Sequence, residues 1–588
     1  MKQFLKYTLA TFVGLMLFSF IGIFILFGIM GSLVAMSTST PPTTLKANSV
    51  YVIELNGTLM ERSEDDAFMA VIYQAANQPA NKTMGLDDLL ENIDKAKKDD
   101  NIKGIYLKGG ALGASYASIQ ELRNALLDFK ESGKFIVAYA DSYAQSNYYL
   151  ATVADKLYLN KHGMLGWNGL YSQHIFYKNF LEKIGVEMQI VKVGTFKSAV
   201  EPYILTEMSE ANRLQMTEMV NGLWNGIVSD VATARNISVD NLQKYADMAM
   251  TYQPEETYAE YGLVDSLLYE TDMESLIAQM AGVDKVEFVD HASMTAVPVV
   301  PNAKADKVAV IYAVGAIYDS GNDGIVADDM VETIMDVAKD KSVKSVVLRV
   351  NSPGGSAYAS EQIWHALSLL KKEKPLIVSM GDYAASGGYY ISCVADEIVA
   401  QPSTLTGSIG IYGMIPNVSK VANKLGFNFD GVQTNRLSDM ETNMLFEGMD
   451  TEERALMQGY VNRGYELFVQ RCADGRQMTT DAIKAIAEGR VWLGSLAKEK
   501  GLVDRLGGLD DAVAVAVEKA GLSEYRVVSY PEKKDFMTRL LEEMSMSAAI
   551  DHYMEQSMGE EYTMLQQIKA IAEKPSLQAI MPVYFTIK

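Results

Sequence analysis

The 588-residue chain repeats itself, and the repeat restricts its fold more than any other feature. Tyr148 and Tyr389 stand 241 residues apart and anchor a match between 141–155 and 382–396. The same offset pairs Leu107 with Leu348, Lys183-Ile-Gly185 with Lys424-Leu-Gly426, and Val220-Asn221 with Val461-Asn462. Tyr116-Ala-Ser118 matches Tyr358-Ala-Ser360 at an offset of 242, and Gly262-Leu-Val-Asp265 matches Gly501-Leu-Val-Asp504 at 239. Agreement at so many places near one diagonal means two homologous domains. They are expected over 47–300 and 304–530, with the Pro-containing segment 297–303 as the joint.

Each domain alternates short β-branched runs with stretches of helical periodicity. In the second domain Lys307–Tyr312, Ser345–Val350 and Leu376–Ser379 read as strands, and Asp328–Lys341 and Ser360–Lys372 as helices. The first domain repeats the series with Val50–Glu54, Ile105–Leu107 and Phe135–Ala138. Strands alternating with helices at these spacings imply βαβ units, an α/β class and a mainly parallel sheet. Residues 531–588 fall outside the repeat; they are rich in Met, Glu and Leu and are expected to be helical, with no readable role.

The composition removes several functions. A formal net charge of −22 argues against nucleic acid, which needs basic patches. The two cysteines, Cys393 and Cys472, are far apart and have no metal-ligand spacing, so neither a structural disulfide nor a zinc site is expected; no cofactor or other metal is expected either. At the N-terminus, Lys2 and Lys6 precede an apolar run over 9–36, long enough to span ~30 Å of hydrocarbon as a helix. Met36-Ser-Thr-Ser-Thr-Pro41 is a poor cleavage site, which favours an uncleaved anchor over a signal peptide. The positive charges place 1–8 in the cytoplasm. The rest then lies outside the inner membrane, periplasmic in a Gram-negative cell, after a stalk at 37–46.

The chemistry centres on Met380-Gly-Asp-Tyr-Ala-Ala-Ser386-Gly-Gly-Tyr-Tyr-Ile391, between a strand and an expected helix. A serine among small residues is open to a substrate backbone, and the N–H groups after it, beginning with Gly387, favour developing negative charge. The same glycines could instead serve a tight turn. The repeat separates these readings, because the first domain carries Gln145 opposite Ser386, and Ser146 and Asn147 opposite Gly387 and Gly388. Ser408 faces Trp167. Asn351-Ser-Pro-Gly-Gly355-Ser-Ala357 faces a divergent loop, Gly109 to Ser115, and its glycines can bring a bare backbone N–H against a ligand.

A serine nucleophile needs a base. None of the five histidines, His162, His174, His291, His365 and His552, sits in a turn anchored by the repeat. A desolvated lysine is the alternative. Lys197 fits, lying in Val191-Lys-Val-Gly-Thr-Phe-Lys197-Ser-Ala-Val-Glu-Pro202 among small and apolar neighbours, whereas 427–449 in the second domain holds no lysine. The first domain keeps a candidate base and lacks the serine, and the second does the reverse. That complementary loss points to one site split between the domains.

Gly-Thr-Phe-Lys197-Ser-Ala-Val-Glu-Pro, Ala-Ala-Ser386-Gly-Gly-Tyr, Val-Asn-Ser-Pro-Gly-Gly-Ser and Leu-Thr-Gly-Ser-Ile-Gly together resemble the signal peptide peptidase A (protease IV) family, in its long, duplicated bacterial form. The resemblance runs from the anchor to about residue 530. It implies tandem ClpP/crotonase-like domains and a membrane-anchored serine endopeptidase that degrades signal peptides left in the membrane. By the motif match, Ser386 would be the nucleophile and Lys197 the general base. Gly354 would lend its N–H to the oxyanion hole and Ser408 would orient the lysine. A bowl-like homo-oligomer, a tetramer by family resemblance, is implied as well. Two other readings compete: a crotonase-type acyl-CoA enzyme, opposed by the anchor and the lack of a basic nucleotide site, and a membrane-anchored scaffold whose site has decayed.

Overall fold

The computed structural model describes residues 44–63, 83–299, 304–321 and 324–533, with residue 302, the strand Gln578–Ile580 and a few helical positions between 6 and 21. Most of the expected anchor and stalk lies outside these residues. Among the described residues no helix is long and apolar enough to cross a membrane.

Each half builds its own α/β sheet. The first has seven strands, with Ser49–Met60, Ile102–Gly113, Phe135–Ala140 and Lys156–Asn160 as neighbours in sequence order and every pairing parallel. The second has eight, in which Asp306–Val314, Val343–Ser352 and Leu376–Ala385 lie side by side and parallel. These strands read as unbroken apolar runs because both faces are covered. Along Asp306–Val314, Ala309, Ile311 and Ala313 enter one core, while Val308, Val310 and Tyr312 enter another beneath the helix Leu509–Ala520. The tandem, mainly parallel α/β architecture expected from the repeat and the strand–helix alternation is present.

The duplication extends to individual hydrogen bonds. Tyr148 Oη donates to Leu263 O at 2.8 Å, and Tyr389 Oη to Leu502 O at 3.0 Å. Asp265 Oδ2 accepts from Leu157 N, and Asp504 Oδ2 from Ile398 N. Arg235 and Arg476 each reach the glycine carbonyl and the aspartate of their own Gly-Leu-Val-Asp turn.

A third sheet joins the halves. The first-half strand Glu187–Lys192 pairs antiparallel with Tyr412–Asn417 of the second half, Lys192 opposite Tyr412. The chain leaving this strand is therefore delivered into the second half.

Two expectations are corrected. The strand expected to stop at Ser379 runs on to Ala385, because Tyr383–Ala385 finds a new neighbour in Leu405–Gly407. The segment 531–588 was expected to be helical, yet Gln578–Ile580 is a strand, since the edge Gly354–Ser356 offers it backbone partners. The rest of that segment from residue 534 lies outside the described residues.

Candidate active site

The strand Leu376–Ala385 runs directly into Ser386, and the helix Gly387–Ser392 begins one residue later. The corner is sharp enough to force Ser386 to φ +56°, a region where a residue with a Cβ is strained. Its N–H donates to Gly407 O at 2.8 Å, which holds the corner, and its side chain is fully buried.

Lys197 arrives from the other half. Leaving Glu187–Lys192, the chain is fixed to the second half by Val193 N donating to Ile411 O and Phe196 N to Glu488 O. A slot without side chains then admits the lysine stem. A Cβ on Gly489 would lie 2.6 Å from Lys197 Cβ, and one on Gly410 would lie 3.3 Å from Lys197 Cδ. Gly489 also sits at φ +77°, so both space and conformation require glycine there.

At the end of the slot Lys197 Nζ donates to Ser386 Oγ at 2.8 Å, to Ser408 Oγ at 3.0 Å and to Ser408 O at 3.2 Å. Lys197 has no exposed surface, and all three acceptors are neutral oxygens. Burial alone pushes its ammonium well below the usual lysine range, so the neutral amine is favoured in a way it never is at a surface. Ser408, at φ +52°, is pinned by its N–H to Arg490 O.

The two glycines expected beside the serine lie together. A Cβ on Gly387 would stand 2.7 Å from Ser360 Oγ and 3.1 Å from both Gly354 Cα and Gly355 N, so the two backbones pack closer than a side chain on Gly387 would allow. Gly354, at φ +99°, donates its N–H to Ser352 Oγ at 3.2 Å. Ser386, Lys197, Ser408, Gly354 and Gly387 thus gather at one place. Among the histidines, His291 is held by Tyr51 and Asn92 in the first half, and His162 stands at the surface by Glu255.

A buried ionic network behind the glycine loop has no counterpart in the sequence reading. Arg349, in the strand that leads into Asn351–Gly355, donates from Nε to Glu61 at 2.9 Å and from Nη2 to Glu121 at 2.7 Å. Both carboxylates come from the first half. Asn351 Nδ2 donates to Glu61 and to Asp382, and Asp382 accepts from the N–H and hydroxyl of Ser118. Burial raises the Asp382 carboxyl above the usual carboxylate value, and burial does the same to Glu121. The first half therefore supplies the lysine on one side of the serine and the anchor of the glycine loop on the other. A lone arginine inside an apolar strand was the available signal, since such a charge must be paired.

The strained serine corner on duplicated ClpP-like domains belongs to the serine peptidases. Comparison with known proteins agrees: the Clp protease model matches residues 306–404, and the model of peptidase family S49 matches 128–284 and again 368–523. Protease 4 of Salmonella typhi is 35% identical over 523 residues, covering 85% of this chain and 83% of its own. Protease 4 of Haemophilus influenzae is 34% identical over 488 residues, with 80% and 79% covered. The chloroplastic serine protease SPPA of Arabidopsis thaliana is 30% identical over 464 residues, with 77% and 68% covered. The chain belongs to peptidase family S49.

Proposed function

We propose that this serine peptidase is an endopeptidase working through a Ser386–Lys197 dyad on apolar peptides, and that its substrates are signal peptides left in the membrane. The observation that carries the reading is a fully buried lysine amine 2.8 Å from a serine hydroxyl, with neutral oxygens as its hydrogen-bond partners. A carboxylate there would hold the amine charged and useless as a base.

In this scheme neutral Lys197 takes the Ser386 proton as Oγ bonds to the substrate carbonyl carbon. The carbonyl oxygen becomes an oxyanion facing the N–H groups of Gly354 and Gly387, and the Gly354 N–H exchanges its Ser352 acceptor for it. The Lys197 ammonium, held by Ser408, returns the proton to the leaving amine as the C–N bond breaks. Water, deprotonated by the same lysine, then splits the acyl-enzyme and frees Ser386. Positioned proton transfer contributes about 10²–10⁴-fold, and one oxyanion donor about 3–4 kcal/mol. No step needs a metal or cofactor.

The apolar run at 9–36 supports a single-pass anchor in the inner membrane with the catalytic part on the periplasmic side, near such substrates. A homo-oligomer has its own support. The first-half strand Glu187–Lys192 pairs with Tyr412–Asn417, and the offset of 241 makes 428–433 and 171–176 their repeat counterparts. Neither counterpart is a strand, and Tyr171, Ile175, Phe429 and Val432 are exposed. Pairing 428–433 of one copy with 171–176 of the next would repeat the joint between halves and close a ring, for which the family resemblance implies four copies.

The reading is tested by labelling the enzyme with a fluorophosphonate and mapping the adduct. Label on Ser386, lost in Lys197→Ala, is expected. Label on another serine would overturn the assignment.

A further inference from the structure

Lys197 lies outside every helix and strand, at φ −74° and ψ +80° between Phe196 and Ser198. No backbone ladder fixes it, yet its amine must stay within a hydrogen bond of Ser386. Gln215, buried on the long helix Glu210–Arg235, straddles it. Gln215 Nε2 donates to Phe196 O at 3.2 Å and to Ser198 Oγ at 2.9 Å, one acceptor on each side of the lysine. Its Oε1 accepts from Val491 N at 3.4 Å. Val491 stands opposite Gly407, whose carbonyl holds the Ser386 N–H, and the carbonyl of Arg490 holds the Ser408 N–H. One side-chain amide therefore ties the flanks of the lysine to the segment against which both serines are held.

The direction of that amide is set from behind. Glu201 is buried and accepts from Ser209 N at 3.2 Å, Ser209 Oγ at 2.6 Å and Asn212 Nδ2 at 3.0 Å. With its Nδ2 given to Glu201, Asn212 turns Oδ1 to Gln215 Nε2 at 3.1 Å, which leaves Gln215 Oε1 for Val491. Two neutral amides thus separate the carboxylate from the lysine loop. Orientation is passed on and charge is not, and burial is the sole cause of the shift at the Lys197 amine. The repeat shows that the helix itself does not require this residue. Val220-Asn221 and Val461-Asn462 align Glu210–Arg235 with Thr451–Arg476 at the offset of 241, and the counterpart of Gln215 is Leu456, which is exposed. The buried amide stands in the half that delivers the lysine.

We propose that Gln215 is a positioning residue for catalysis, which keeps Lys197 in line with Ser386 and Ser408 by bonding the carbonyl before the lysine and the hydroxyl after it. The proposal rests on the peptidase reading above and adds to it a residue that touches none of the reacting atoms. Without these bonds the lysine loop is free to shift, and a displacement of about 1 Å at such a base costs on the order of 10²-fold in rate.

The test uses the full chain with Gln215→Met, which keeps side-chain length and helix preference and removes every hydrogen bond, and with Gln215→Glu, which when ionised accepts but cannot donate. Hydrolysis of a synthetic uncharged apolar peptide is followed against pH, with rates expressed per folded molecule. Gln215→Met should lower kcat by about 10–100-fold with KM within about 2-fold. In Gln215→Glu the rising limb of kcat/KM should move to higher pH, because a carboxylate beside the lysine loop favours the ammonium. Wild-type kcat in Gln215→Met, or an unmoved limb in Gln215→Glu, would overturn the proposal; a lowered melting temperature alone is what a merely structural residue gives. If Gln215→Met does not fold, Ser198→Ala takes its place, since it removes one of the two flanking contacts. A smaller loss of kcat is then expected, and an unchanged kcat counts against the proposal. Failure of the underlying peptidase reading looks different, since the wild type itself would then neither hydrolyse the peptide nor take a label on Ser386.

Discussion

Gln145 and Ser386 occupy the same corner of the two halves and make opposite use of it. Gln145 closes its corner: Oε1 accepts from Asn168 N at 2.9 Å and Gly169 N at 3.0 Å, while Nε2 donates to Gly169 O. Behind it Trp167, opposite Ser408, is fully buried against Trp224, with its indole N–H given to Leu242 O. The second half keeps the corner strained and narrow, and brings a lysine amine to it from outside. Around both corners the tyrosine, aspartate and arginine bonds of the scaffold recur almost atom for atom. Scaffold bonds and site bonds thus answer to different demands. The first half fills its corner with good packing, whereas the second holds φ +56° at Ser386 and a buried amine with no carboxylate partner.

The largest effect should come from breaking that asymmetry at its centre. Ser386→Ala and Lys197→Ala should each lower kcat/KM by at least about 10⁴-fold with an unchanged circular dichroism spectrum, while Gln145→Ala leaves the rate within about 2-fold. The pH profile carries the same signature. In the proposed dyad neutral Lys197 is the active form, so kcat/KM should rise with pH through a limb below the ordinary lysine value of about 10.4. The unfolded chain binds the extra proton between the depressed folded pKa and the ordinary one. Stability therefore also rises with pH across that window, and Lys197→Met should flatten the rise.

Next in size is the pairing behind the glycine loop. Arg349 and Lys108 are repeat counterparts, yet Arg349 is buried between Glu61 and Glu121, whereas Lys108 meets Glu270 at 2.6 Å near the surface. Arg349→Met strands two buried carboxylates and should cost about 3–5 kcal/mol in urea unfolding. Lys108→Met should cost less than about 1 kcal/mol. Similar losses at the two positions would mean that the network does not hold the halves together. Smaller still is Ser408→Ala. Losing its hydroxyl from the lysine amine should lower kcat by about 10–100-fold with little change in KM.

Much of this is legible in the order of the amino acids. The repeat announced tandem α/β domains, and the mismatch of Gln145 with Ser386 and of Trp167 with Ser408 marked where they diverge. The role of Arg349 is not legible there, because its partners lie 288 and 228 residues away and no local spacing signals such distant carboxylates. The strand at Gln578–Ile580 was equally hidden, because its pairing depends on an edge formed more than 200 residues earlier in the chain.

The sequence by itself determined the duplication, the parallel α/β class and the residues whose chemistry is unequal between the halves. Those follow from local periodicity and from comparing the chain with itself. Only the tertiary structure decided that Lys197 and Ser386 touch, that glycines at 410 and 489 admit the buried lysine stem, and that Gln578–Ile580 pairs between Gly354–Ser356 and Tyr412. Each of these brings together segments far apart in the chain, Lys197 and Ser386 being 189 residues apart. Desolvation and hydrogen bonding act through space, and one-dimensional order does not record them.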